Sequence, residues 1–81
     1  MLRTMITHEI WFEGAASPVL LDLEDDQLFL HFQQWVRGDV DLSGHGWTGT
    51  VEGKTWVINF HRVACITIAS RKERGKMGFA G

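Results

Sequence analysis

The sequence predicts a small α+β protein in which one helix interrupts a set of antiparallel strands, in the order β-β-α-β-β-β. Three observations support this class: an alternating apolar segment near the start, a segment of helical periodicity in the middle, and a β-branched hairpin followed by a further strand. The strands are expected to form a small antiparallel sheet or a strongly bent barrel. The alternative is a small all-β barrel, in which residues 27–36 form a strand instead of a helix.

Two strands are predicted in the first quarter of the chain. In Met5–Phe12, alternate residues form one mainly apolar face, and Val19–Leu23 follows a turn over residues 14–18 that ends in proline. We expect the two strands to pair antiparallel. One face of the first strand is mainly apolar, and His8 on that face is expected to be a hydrogen-bonded histidine of the core.

A helix is predicted over Asp25–Arg37. Its apolar residues fall within about 120° of arc, the width of a stripe that faces a core. An aspartate precedes the stripe where an N-cap is expected, and Gly38 follows where a left-handed residue ends many helices. Strand alternation fails at residues 33–34, which favours the helix. The predicted stripe consists of Leu28, Phe29, Phe32, Trp35 and Val36.

A hairpin and a last strand are predicted in the second half of the chain. Gly38–Gly46 is a polar, glycine-rich loop, and Thr48–Val51 and Thr55–Phe60 are the two strands of the hairpin. The Glu52-Gly53 pair between them supplies the positive φ that a tight turn needs. After a corner at residues 61–62, Val63–Ala69 forms the last strand, with Ala64, Ile66 and Ile68 on one face.

The size and cysteine content predict self-association. A core built from 81 residues is marginal unless a disulfide, a metal or a second subunit supports it. Cys65 is the only cysteine, so an internal disulfide is excluded and a reducing, cytoplasmic compartment is expected. The residue itself is expected to be a small buried hydrophobe. Self-association is then the remaining support for the core, so a homo-oligomer is predicted. No apolar run approaches the roughly 20 residues that span a bilayer.

Charge divides the chain into an acidic body and a basic tail. Residues 1–70, the predicted globular domain, hold four basic and nine acidic residues, a net charge of −5, whereas residues 71–81 hold four basic residues and one acidic residue. The second segment is predicted to be a flexible tail. Its basic residues are the nucleic-acid contacts of an alternative hypothesis, a small barrel that binds phosphate, although the acidic body disfavours it. They are Arg71, Lys72, Arg74 and Lys76.

One further alternative is a calcium-stabilised structural domain. The residues from Asp39 to Gly44 match the first half of a calcium loop, with oxygen ligands at alternate positions and a glycine at the bend. The predicted ligands are Asp39, Asp41 and Ser43. The second half of the motif is missing, because Thr50 stands where a bidentate glutamate is required, so a solvated turn is the simpler interpretation. No zinc-motif spacing is present, and no other cofactor is expected.

The leading hypothesis is a non-enzymatic module that binds a protein or small molecule. No nucleophile motif, phosphate-binding loop or dinucleotide fingerprint is present, and no enzymatic activity is expected. Four tryptophans are many for so short a chain, and tryptophan is enriched at interfaces. Trp11 stands on the polar face of its strand and is the first candidate for an interface. The glycine-rich loop and the aromatic after it are the other candidates: Gly44, His45, Gly46 and Trp47.

Overall fold

Five strands and two α-helices confirm the α+β class. The computed structural model describes residues 3–73. The segment 27–36 is helical, so the all-β alternative is wrong. The elements in chain order are β1 Arg3–Phe12, β2 Val19–Leu23, α1 Gln27–Val36, α2 Val40–Ser43, β3 Gly46–Val51, β4 Lys54–Asn59, a 3-10 turn Phe60–Arg62, and β5 Val63–Glu73.

The strands form two antiparallel sheets. The larger sheet has the order β2-β1-β5, and β3 pairs with β4 as a separate hairpin. β1 and β2 are neighbours as predicted, with His8 opposite Leu21, and the other edge of β1 pairs with β5 along its whole length. The hairpin turns at Glu52 and Gly53, which have φ values of 52° and 80° as a tight two-residue turn requires.

A β-bulge sets which residues of β5 face the core. Trp11 is opposite Cys65 and Phe12 is opposite Val63, so Ala64 is the extra residue of the bulge. Val63 is consequently buried and Ala64 is exposed, which corrects the alternation predicted from the sequence. Cys65 is exposed on the outer face of the sheet, so the prediction of a buried cysteine is wrong.

The core lies between the inner face of the larger sheet, helix α1 and the inner face of the hairpin. Helix α1 contributes the buried residues Leu28 and Phe32, with Trp35 partly buried beside them. Val36 in the last turn is exposed, so the apolar stripe ends one residue earlier than predicted. The buried apolar residues are Ile10, Leu21, Leu23, Leu28, Phe32, Ile58, Phe60, Val63 and Ile66.

A short helix replaces part of the predicted glycine-rich loop. Gly38 ends α1 with a φ of 84°, as predicted, and the chain then turns into α2. The N–H groups of Leu42 and Ser43 both donate to the Asp39 carbonyl, and that of Gly44 donates to the carbonyl of Val40. These local hydrogen bonds satisfy the backbone of a segment whose side chains have no helical periodicity, and the loop prediction is wrong here.

Residues 71–73 continue β5, opposite residues 3–5 of β1, although the sequence placed them in a tail. The remainder of the predicted tail lies outside the described residues. Within residues 3–73, neither helix has the length and apolar character needed to cross a membrane.

Candidate functional site

A pocket of about 550 Å³ opens where strand β2, the turn between β2 and α1, and the β3–β4 hairpin meet. This volume lies within the range of sites for small molecules or single side chains. Its lining combines four carboxylates with apolar and aromatic groups. The lining residues are Met5, Asp22, Leu23, Glu24, Asp25, Trp47, Thr50, Val51 and Glu52.

The aromatic wall of the pocket is Trp47, whose position depends on Gly49. Both residues lie on the same face of β3, and the indole ring covers the position that a Cβ of residue 49 would take. Trp47 is half-buried and packs against the core. Any side chain at residue 49 would displace this ring, so the glycine is required by the pocket wall and not by its own backbone angles.

Replacing Gly49 with alanine is therefore expected to move the Trp47 ring and to destabilise the protein by about 1 kcal/mol, because the added methyl group overpacks the site. The indole Nε1–H signal of Trp47 in a proton–nitrogen correlation spectrum measures the movement. Gly38→Ala is the control for the Trp47 signal, because a Cβ at residue 38 would lie in open space, although its positive φ makes this variant strained as well. An unchanged Trp47 signal in Gly49→Ala would contradict the assignment.

The pocket is acidic, and two of its carboxylates are held in place by hydrogen bonds. The Thr7 hydroxyl donates to Asp22 Oδ1 over 2.6 Å, and the Gln27 backbone N–H donates to Asp25 Oδ1 over 3.1 Å at the start of α1. Among the residues that the structure describes, no lysine, arginine or histidine lines the pocket. Carboxylates in the lining favour a ligand of positive charge.

Three of the predicted binding residues lie elsewhere. Gly44 ends α2 with a φ of 67°, and Gly46 is required because a Cβ there would collide with the carbonyl oxygen of Ile58. His45 is exposed and its ring stacks on that of His61 at a centroid distance of 5.6 Å. Of the four loop residues predicted as a site, only Trp47 lines the pocket.

A surface cluster of aromatic rings joins α1 to the ends of β3 and β4. The Trp35 ring contacts His61 at 4.6 Å and His45 at 5.5 Å, both edge-on, and also approaches Phe60 at 6.3 Å. The Phe60 N–H donates to the His45 carbonyl over 3.0 Å, which fixes the two chain segments together. The cluster therefore packs the hairpin against the helix, a role that sequence analysis missed because the rings come from three separated segments.

Trp11 lies on the outer face of the larger sheet, away from the pocket lining. Its ring is half-buried, its Nε1–H donates to Glu9 Oε1 over 3.4 Å, and its register partner is Cys65. The prediction that it forms an interface is untested and stays a prediction.

The predicted calcium ligands lie at the start of helix α2 and within it. Asp39 precedes α2, and Asp41 and Ser43 lie within it, so helical geometry replaces the open loop that the motif requires. The Ser43 hydroxyl is buried and donates to the Gly44 carbonyl over 2.6 Å, whereas both aspartates are exposed. Within residues 4–70, whose side chains the structure describes, no three acidic, histidine or cysteine side chains converge as a metal site requires.

His8 is fully buried on the inner face of β1, which confirms the prediction of a core histidine. Its Nδ1 lies 3.1 Å from the Ile6 carbonyl oxygen, so the neutral ring carries its proton on Nδ1. Nε2 is buried without a hydrogen-bond partner in the described part of the chain. Burial lowers the pKa of His8 from its ordinary value of 6.5, against the weaker opposing effects of the Ile6 carbonyl and of nearby aspartates.

Two of the four residues of the nucleic-acid alternative lie in the described part of the chain. Arg71 and Lys72 occupy the last residues of β5, and Arg74 and Lys76 lie outside the described residues. That hypothesis stays a prediction. Comparison of the chain with known protein families, characterised proteins and solved structures returned no match.

Proposed function

We propose that this protein is a non-enzymatic binding module that holds an organic cation in the pocket beside Trp47. The observation that carries the proposal is the composition of the pocket: an indole ring and four carboxylates surround about 550 Å³, and none of the lining residues that the structure describes is basic. An organic cation here means a quaternary ammonium ion or the side chain of a lysine or arginine.

The two kinds of lining group favour different parts of such a ligand. The carboxylates of Asp22, Glu24, Asp25 and Glu52 favour the positive charge, and the indole face of Trp47 adds a cation–π interaction of about 0.5–2 kcal/mol. Met5, Leu23 and Val51 offer apolar surface for the methylene groups of a ligand stem.

The site is also largely organised before binding. The Trp47 ring is confined by its packing over Gly49, and the side chains of Asp22 and Asp25 accept hydrogen bonds from Thr7 and from the start of α1. Preorganised groups lose little conformational entropy when a ligand binds, so modest contacts suffice for measurable affinity.

The proposal is tested by titration with tetramethylammonium chloride and, separately, with a blocked Ala-Lys-Ala peptide. The two probes distinguish a free quaternary ammonium ligand from a lysine side chain of a partner protein. We expect at least one of them to shift the Trp47 indole signal saturably, whereas the neutral Ala-Gln-Ala peptide leaves it unchanged. Trp47→Leu is expected to weaken binding about two- to thirtyfold, the loss of one cation–π contact, when followed through backbone amide signals.

Matched variants separate the pocket from general effects. Glu52→Gln removes one lining carboxylate at an exposed turn, and Glu13→Gln removes a charge from another exposed turn outside the lining. We expect weaker binding only in the first. Trp11→Leu is the corresponding control for Trp47→Leu. Equal binding of the neutral and cationic probes, or equal effects of the paired variants, would refute the proposed function.

A further inference from the structure

The outer edge of β5 is the longest strand edge in the described part of the chain that pairs with no other strand. β5 runs for 11 residues at one side of the larger sheet and pairs with β1 along its other side. Unpaired N–H and C=O groups along such an edge are a template for pairing with another strand. Five residues along it are exposed: Ala64, Cys65, Thr67, Ala69 and Ser70.

Between the bulge at Ala64 and Arg71, this edge lacks the usual protection against pairing. The stretch from Ala64 to Ser70 contains neither a charged residue nor proline, and its composition is β-branched and small. The bulge at Ala64 lies at one end of this stretch and Arg71 follows the other end. The opposite edge of the same sheet, β2, is only five residues long and carries Asp22.

We propose that a second copy of this chain pairs with β5 in antiparallel orientation, about a two-fold axis at Thr67. The uncharged stretch 64–70 is symmetric about that residue, so every one of its positions meets another uncharged position. Ile66 of each copy then lies opposite Ile68 of the other copy, on the inner face of the sheet. The two three-stranded sheets join into one sheet of six strands.

Charge favours this orientation over a parallel one. In the antiparallel arrangement Arg71 lies opposite Val63 of the second copy, whereas in a parallel, in-register arrangement Arg71 and Lys72 lie beside their own counterparts. Like charges directly opposite each other across two strands are destabilising. The half-exposed Ile68 is also covered in the dimer, because the side chain of Ile66 of the second copy lies beside it.

Charged substitutions at Thr67 test the pairing, because this exposed residue lies opposite itself in the proposed dimer. Thr67→Lys alone and Thr67→Glu alone are each expected to weaken the dimer several-fold or more. Their mixture is expected to give a heterodimer that native mass spectrometry identifies by mass. The matched pair Thr48→Lys and Thr48→Glu, at an exposed position of β3, is expected to leave the dimer intact. Urea unfolding curves verify that each variant is folded.

A second measurement uses the unsubstituted chain, in which Cys65 is the only cysteine and is exposed. The proposed pairing separates the two Cys65 Cα atoms by about 15 Å, four residues along the strand and one strand across. Nitroxide labels at Cys65 should therefore show a short inter-label distance. The control label, at Ser17→Cys in a Cys65→Ser background, should show a longer one. A monomeric chain, a dimer unaffected by Thr67→Lys, or a long Cys65 distance would overturn the inference.

Discussion

Replacing Phe60 with alanine is expected to lower the free energy of unfolding by about 3–5 kcal/mol, the cost of deleting a buried phenylalanine side chain from a packed core. Phe60 is 1% exposed and is the largest fully buried side chain. Its ring contacts Phe32 edge-on at 5.5 Å, and its backbone N–H bonds to the chain before β3. One residue therefore ties helix α1, the hairpin and the start of β5 together.

Urea denaturation followed by far-ultraviolet circular dichroism measures this loss. A chain of this length has a total stability of about 4–12 kcal/mol, so Phe60→Ala is expected to leave little folded protein at the lower end of that range. Phe60→Leu keeps most of the volume and should cost much less. Val57→Ala, at a residue that is 77% exposed on β4, is the control and should change stability only slightly. A loss below that of Val57→Ala would show that Phe60 is not central to the core.

The free energy of unfolding is expected to fall as the pH falls below about 6.5, with His8 as the cause. Burial lowers the pKa of His8 in the folded protein, so the unfolded chain takes up a proton at a pH where the folded chain does not. The stability that neutral His8 provides is therefore complete above its ordinary pKa of 6.5 and is lost as the pH decreases toward the folded value. One proton accounts for at most about 1.4 kcal/mol for each pH unit.

The physical reason is that Nε2, the atom that would accept the proton, is buried and has no partner among the described residues to receive the resulting N–H. His8→Leu replaces the ring with an apolar side chain opposite Leu21 and Ile68, and we expect it to remove this part of the pH dependence. His45→Gln, at an exposed histidine, is the control. Denaturant midpoints from pH 8 to pH 5 provide the comparison. Parallel pH profiles for the unsubstituted chain and His8→Leu would exclude His8 as the cause.

Local patterns predicted the elements of this fold better than their assembly. The bounds of β2 agree with the strand Val19–Leu23 predicted after the proline turn, and helix α1 lies within the segment whose apolar residues have a helical period. The Glu52-Gly53 turn also follows from residue type, since few residues accept a positive φ. Each of these three elements is determined by residues that lie within a few positions of one another in the sequence.

Features that depend on distant contacts could not be predicted in this way. The bulge at Ala64 exists only in relation to β1, and it changes which residues of β5 face the core. The acidic pocket draws its lining from β1, β2, the turn after β2 and the hairpin, so Glu52 joins the three carboxylates of residues 22–25 only through the fold. Trp47 was predicted as a binding residue because it is an aromatic after a glycine-rich loop. Its position over Gly49 was not predicted.

The pairing of β1 with β5 has a consequence for the order in which the chain folds. The Thr67 hydroxyl donates to Glu9 Oε1 across 58 residues of sequence, and the central strand of the sheet is the one made first. Closing so long a loop costs entropy before any contact is gained, which slows folding relative to the local hairpin and helix. During synthesis β1 has only β2 beside it until β5 has been translated. The larger sheet is therefore completed only when β5 joins it, after helix α1 and the β3–β4 hairpin have been translated.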